Sequence, residues 1–187
     1  QRAQSAIAAA LDRDPQAIEI GSTSKAARLR STRWSLRPSV PESWPAIQLS
    51  CLPGRHLHHL ADADRQVLMT QAWQVSARSN RQGLGLEGQA MNTEPFSNLQ
   101  SEPVREGTVQ LPPAGTPFIL LAEHQSTGGY PRVLEVISAM TSVLAQAGPN
   151  SRIIFKLVDD KEADGLERAQ RRSFEETLAA VDLKLQQ

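Results

Sequence analysis

With a single cysteine, Cys51, the chain cannot build an internal disulfide framework. Aromatic residues make up 4% of it, too few for a base-stacking surface. Neither sign of charge is in excess: Lys+Arg and Asp+Glu both count 20, which removes long-range steering towards nucleic acid or an anionic membrane. The longest apolar runs fall far short of the ~20 residues a membrane helix needs. An initiating Met is also missing. The chain opens on Gln1, and Ala6 to Leu11 is too short, and too uncharged in front, for a secretory signal. The simplest expectation is a fragment or truncated product in the cytoplasm. What remains is 40% hydrophobic residues in 187, enough for an aliphatic core in one domain or two small ones.

Residues 1–45 show little periodicity, and a boundary is expected at their end. Ser5 to Asp12 is alanine-rich and reads as a helix, Ala17 to Gly21 as a short strand. Lys25, Arg28, Arg30, Arg33 and Arg37 follow without interleaved aromatics, the pattern of a solvated surface. From residue 46 short strands alternate with turns. Ala46 to Leu52 alternates cleanly and closes at Pro53-Gly54. His56, His58 and His59 come next. A His-x-His pair on a strand has metal-ligand geometry, but no Cys, Asp or Glu lies between them, so no metal is expected. Asp62 to Gln71 predicts a helix capped by Asp62 or Asp64, and Trp73 to Arg78 a strand. Ser79 to Gly88 reads as a glycine-containing polar turn without the Gly-Lys-Ser/Thr ending of a P-loop. Met91 to Glu106 is a long loop, Gly107 to Leu111 a strand, and Ser138 is placed to cap a helix running to Ala145. Arg152 to Val158 is a last alternating strand. Residues 159–187 are charged and helical, with Leu166, Ala169, Ser173, Thr177, Val181 and Leu185 along one stripe, beside Phe174 and Leu178.

The most tightly specified stretch lies between two apolar runs, Phe118 to Ala122 and Val133 to Ile137. It reads Glu123-His124-Gln125-Ser126-Thr127-Gly128-Gly129-Tyr130-Pro131. Two glycines admit positive φ or a close backbone approach, and Pro131 fixes φ at the exit. A loop held between core strands is where functional groups sit. The same residues also suit a tight turn, and both readings stand. Strand after short strand argues an antiparallel β architecture, of the kind that can close as a barrel.

Three blocks in order, SNRQGLGLEGQ, SEPVREGTVQLPPAGTPFILLAEHQSTGGYPRVLEVISA and AQAGPNSRIIF, resemble a known family. It is the biotin-dependent carboxyltransferase-like family that includes allophanate hydrolase subunit two, the C subunit of 5-oxoprolinase and the carboxyltransferase part of urea carboxylase. The resemblance covers Ala46 to Val158 and is to the family's C-terminal portion, which implies that residues 1–45 are a divergent or remnant lead. It implies a mainly β, cyclophilin-like barrel over 46–158, followed by the C-terminal charged helix. Against the family pattern, Asn80 stands for Asp, Gln82 for Met, Leu84 for Tyr, Gly85 for Arg, His124 for Arg and Ser126 for Thr. Arg81 and Glu87 are kept. The changes remove a carboxylate, a phenol and two guanidiniums.

By resemblance, the chain is a component of a 5-oxoprolinase or carboxyltransferase-type complex, with the companion B and A subunits as partners. Its substrate is then a small amide or lactam, and ATP or carboxybiotin enters through the complex. His124, Gln125 and Tyr130 are the implied catalytic candidates, and Arg81, Glu87, Thr127, Gly128 and Gly129 the substrate-binding ones. Such chemistry needs donors aimed at a carbonyl or carboxylate. Two plainer readings accompany this: Arg81 and Glu87 as a structural ion pair, and Tyr130 as a packed residue. The non-enzymatic alternatives are a partner-binding module of the kinase-inhibitor-antagonist type and a degenerate fragment.

Overall fold

Alternating apolar residues in short strands need a second surface to bury against, and this chain supplies it by closing one sheet on itself. A computed structural model describes residues 11–12, 35–36, 46–96 and 99–185. The chain divides into two compact units, Ser43–Gln170 and Gln1–Glu42 with Arg171–Gln187. In the second of these the described parts are a two-residue pairing of β1 (Leu11–Asp12) with β2 (Ser35–Leu36) and the end of the C-terminal helix. Leu11 and Asp12 are thus paired as a strand and do not end a helix. The expected strand at Ala17–Gly21 and the five basic residues after it lie outside the described residues.

In the Ser43–Gln170 unit the strands are β3 (Ile47–Pro53), β4 (Trp73–Val75), β5 (Gly83–Glu87), β6 (Glu102–Pro103), β7 (Thr108–Gln110), β8 (Phe118–Leu120), β9 (Thr127–Gly128), β10 (Arg132–Val136) and β11 (Arg152–Leu157). Seven close into a barrel in the order β10-β3-β11-β4-β5-β8-β7, and β6 and β9 form a separate pair. Closure removes the exposed sheet edges. The mainly β barrel with a C-terminal charged helix is therefore present. It is not purely antiparallel, because β11 runs parallel to β3 in the register Ile153↔Ile47 to Leu157↔Cys51. That pair joins the two ends of the barrel, where no hairpin connects them.

Period-two alternation puts Ile47, Leu49 and Cys51 of β3 inside with Trp73, Val75, Val109, Ile119 and Ile153, all buried. Each large aliphatic side chain so buried contributes roughly 1.5–3 kcal/mol. Burial pushes the Cys51 thiol far above its ordinary value, so it behaves as a small hydrophobe and not as a nucleophile.

Three local expectations are corrected. Gly83 to Glu87 is a barrel strand, not part of a polar turn, and Leu84 and Leu86 are buried in it. Helix α1 (Asp62–Thr70) starts after Ala61, whose position carries no side-chain cap, so neither Asp62 nor Asp64 is the N-cap. Both still favour the positive end of the helix. Ser138 opens a 3-10 turn ahead of α2 (Thr141–Leu144) and bonds across to Glu167 instead of capping.

Helix α3 (Asp160–Leu185) packs on the barrel through Ala163 and Leu166, against Ile137, Ala139 and Val158. Lys156 adds an ion pair to Glu162 at 2.7 Å. Further along the expected stripe Ala169, Ser173 and Leu185 are exposed, as are Phe174 and Leu178. Among the described residues no helix is long and apolar enough to cross a membrane.

Candidate functional site

The loop between β8 and β10 is held at nearly every turn by backbone bonds to its neighbours. Leu121 N–H donates to Gln82 at 3.0 Å and Glu123 N–H to Arg81 at 3.1 Å, so the loop leaves β8 alongside the segment that enters β5. Thr127 and Gly128 pair with Pro103 and Glu102, and Val104 N–H donates to Ser126 at 3.1 Å. On the exit side Leu111 N–H donates to Pro131 at 3.0 Å, and the β10–β7 register slips between Arg132 and Leu134. A bulge there turns the chain out of the loop and back into the barrel.

Neither Gly128 nor Gly129 has positive φ; Gly107 and Gly115 are the described glycines that do. Gly128 is required by approach instead. A Cβ there would lie 2.3 Å from Nε2 of Gln110, a side chain only 1% exposed, whose Nε2 has no hydrogen-bond partner among the described residues. Gln110 therefore lies directly beneath the loop. A Cβ on Gly129 would meet Ser101 Oγ at 3.5 Å, an ordinary contact.

With its backbone tied down, the loop turns its polar side chains outward. Gln125, Thr127 and Tyr130 are exposed, Tyr130 at 47%, so Tyr130 is not a packed residue. His124 is half-buried, and its Nδ1 lies 2.6 Å from the carbonyl oxygen of Gln125. A carbonyl only accepts, so Nδ1 carries a proton, and in the neutral ring the lone pair is on Nε2. Arg81 joins this group through Glu123, at 2.7 Å, and not through Glu87. Glu87 stands at the other end of β5 and lines a shallow cleft of about 390 Å³ with Ser76, Arg78, Gly85 and Phe118. The structure thus gathers Arg81, His124, Gln125, Thr127, Gly128, Gly129 and Tyr130 on one loop and its neighbour, and leaves Glu87 apart.

The three histidines occupy the 3-10 turn after β3, not a strand, and among the described residues no metal-holding cluster forms. His56 grips β10 twice: its N–H donates to Arg132 O at 2.9 Å, and its Nδ1 accepts from Arg132 N–H at 3.0 Å. Burial lowers its pKa, opposed by the Glu102 carboxylate. Glu102 itself contacts Arg55 and Arg132, each at 3.1 Å. Gln110, Glu102 and Arg132, the residues behind the loop, carry no sequence signal beyond polar residues placed in or next to strands.

A family model described as the carboxyltransferase domain, subdomain A and B, matches residues 10–157. The chain is 34% identical over 129 residues to the C subunit of 5-oxoprolinase from Escherichia coli, covering 69% of this chain and 42% of that protein. It is 36% identical over 112 residues to the Haemophilus influenzae protein of the same name, covering 60% and 36%. The chain thus spans well under half the length of these curated relatives. The urea carboxylase of Kluyveromyces lactis is 18% identical with a TM-score of 0.66, over 82% of this chain and 15% of that one, and shows the shared fold. This chain belongs to the carboxyltransferase domain, subdomain A and B, family.

Proposed function

We propose that the chain works as the C-type component of a 5-oxoprolinase complex, in which a lactam is opened to glutamate at the expense of ATP. The observation that carries this reading is the loop itself. Its backbone is braced on the segment that enters β5, on β6 and on Leu111 after β7, and its polar side chains face outward. The identity to the C subunits of two 5-oxoprolinases supports the choice of reaction class.

The Gln125 amide and Thr127 hydroxyl donate to the lactam carbonyl, where negative charge develops as the ring opens. Donors preset in this way cost little reorganisation, which a loop held by backbone bonds provides. His124, with Nδ1–H committed to Gln125 O, offers Nε2 as the proton acceptor. Arg81 exchanges its exposed contact with Glu123 for the substrate carboxylate. Tyr130 closes the wall, and Gly128 and Gly129 keep the backbone close to the substrate. Glu87 takes no part unless substrate reaches the far end of β5. Because the loop's donors face solvent, the companion B and A subunits supply the surface that dries the site. ATP is used in the complex, within the cytoplasm.

The test is co-expression with the companion proteins and assay of ATP-dependent 5-oxoproline cleavage. Gln125→Ala is expected to lower kcat/KM at least ~10²-fold, the loss on removing one oxyanion donor, and Arg81→Ala about tenfold or more, the loss of a charge-assisted hydrogen bond to the substrate. The complex should still assemble. Unchanged turnover in both variants would refute the site. Activity with a carboxybiotin donor and no 5-oxoproline cleavage would move the chain to carboxyl transfer.

A further inference from the structure

Beside the loop lies a cleft of about 560 Å³ whose walls include Arg55, His56, His59, Phe96, Leu99 and Glu102. Its volume falls in the range of small-molecule sites. Its walls differ in character. Pro95, Phe96 and Leu99 make an apolar side, with the Phe96 ring edge-on to His56 and His59 at centroid distances of 6.3 and 6.4 Å. The opposite side carries Arg55 and the imidazoles.

The polar side has an excess of donors. One carboxylate, Glu102, faces two guanidiniums. Arg132 Nη2 lies within ion-pair distance of Glu102 Oε2 but off the axis of a hydrogen bond, and among the described residues neither Oε2 nor the buried Arg132 Nε has a hydrogen-bond partner. His56 adds a further donor by its tautomer. Nδ1 accepts from Arg132 N–H, which puts the ring proton on Nε2, and among the described residues Nε2–H donates to nothing. His56 is 9% exposed, so this donor is held in place by packing. An open donor beside two guanidiniums that share one carboxylate favours an anion.

We propose that this cleft binds a small organic carboxylate with an apolar body, its carboxylate bridging Arg55 and His56 Nε2–H and its body lying against Phe96 and Leu99. A carboxylate fits better than a phosphate. One surplus positive charge balances a single negative one, and the apolar wall gives a phosphate's remaining oxygens no donors.

Benzoate is the probe, added to the full chain, with the histidine side-chain ¹H–¹⁵N resonances as readout. Saturable shifts at His56 are expected with benzoate and none with benzamide, which has the same shape without the charge. Arg55 is exposed and its replacement leaves the core intact, so Arg55→Gln should weaken benzoate about tenfold or more, the worth of a charge-assisted hydrogen bond. Equal binding of benzamide, or an affinity indifferent to Arg55→Gln, would overturn anion recognition. Displacement of benzoate by inorganic phosphate at equal concentration would overturn the carboxylate class. No saturable shift in the millimolar range would overturn the site.

Discussion

Two of the stretches that carry the family resemblance, Asn80 to Glu87 and Gln125 to Pro131, both read in sequence as glycine-marked loops, yet they do opposite work. The first turns at Arg81-Gln82 into a strand of the barrel, Gly83–Glu87, with Leu84 and Leu86 buried and Gly83 paired to Leu120. The second keeps the side chains of Gln125, Ser126, Thr127 and Tyr130 outside, buries Pro131 at its exit and is tied down through its backbone. Glycine serves packing in one and presentation in the other. The difference implies that changes near Asn80 reach the loop through the barrel, while the loop's own donors stand on a backbone frame.

The comparison is broken most severely at Gly83. A Cβ there would lie 2.2 Å from Phe118 Cε1 and 2.7 Å from the Ile119 carbonyl oxygen. One of these contacts is backbone of the paired strand, so side-chain rotation cannot relieve it. Gly83→Ala is expected to cost about 2–4 kcal/mol, at the upper end of overpacking. Urea unfolding measures it. A loss below about 0.5 kcal/mol would mean that β5 does not lie against β8 as described.

Gly128 sharpens the comparison because its clash is with a side chain. Gly128→Ala pushes Gln110 Nε2 aside, at an expected cost of about 1–2 kcal/mol. Combining it with Gln110→Ala removes the obstructing amide, so the double variant should be more stable than the sum of the two single losses predicts. Strict additivity would show that Gly128 and Gln110 do not touch.

Sequence patterns reach the parts of this molecule that local periodicity governs. β3 and β11 follow from apolar alternation in Ala46 to Leu52 and Arg152 to Val158, and β10 from the apolar run Val133 to Ile137. The loop is legible because Gly128, Gly129 and Pro131 sit between two such runs. What local pattern misses is set by distant partners. β5 is hidden because Gly83 and Gly85 mimic a turn, and the ring of Phe118, more than thirty residues on, fills the space Gly83 leaves. The parallel pairing of β3 with β11 is a matter of register between chain ends, which no window contains. Arg81 meets Glu123 and not Glu87 because strand pairing brings residue 81 to the end of β8. The pairing of Glu102–Pro103 with Thr127–Gly128 is two residues long, too short to carry a period.

The mildest change is the one that separates backbone bracing from sequence pattern. Gly129 stands next to Gly128 in the same motif, and pattern alone gives the two equal weight. Yet a Cβ at 129 would find Ser101 Oγ at 3.5 Å and Leu99 O at 3.9 Å, both ordinary contacts, and its φ is not positive. Gly129→Ala should therefore change stability by less than about 0.5 kcal/mol, the range of a surface substitution. Its effect, if the loop lines the reaction site, belongs in KM, since a methyl group would stand where substrate approaches the backbone. A stability loss as large as that of Gly128→Ala would show instead that both glycines are there to let the loop lie flat on its supports.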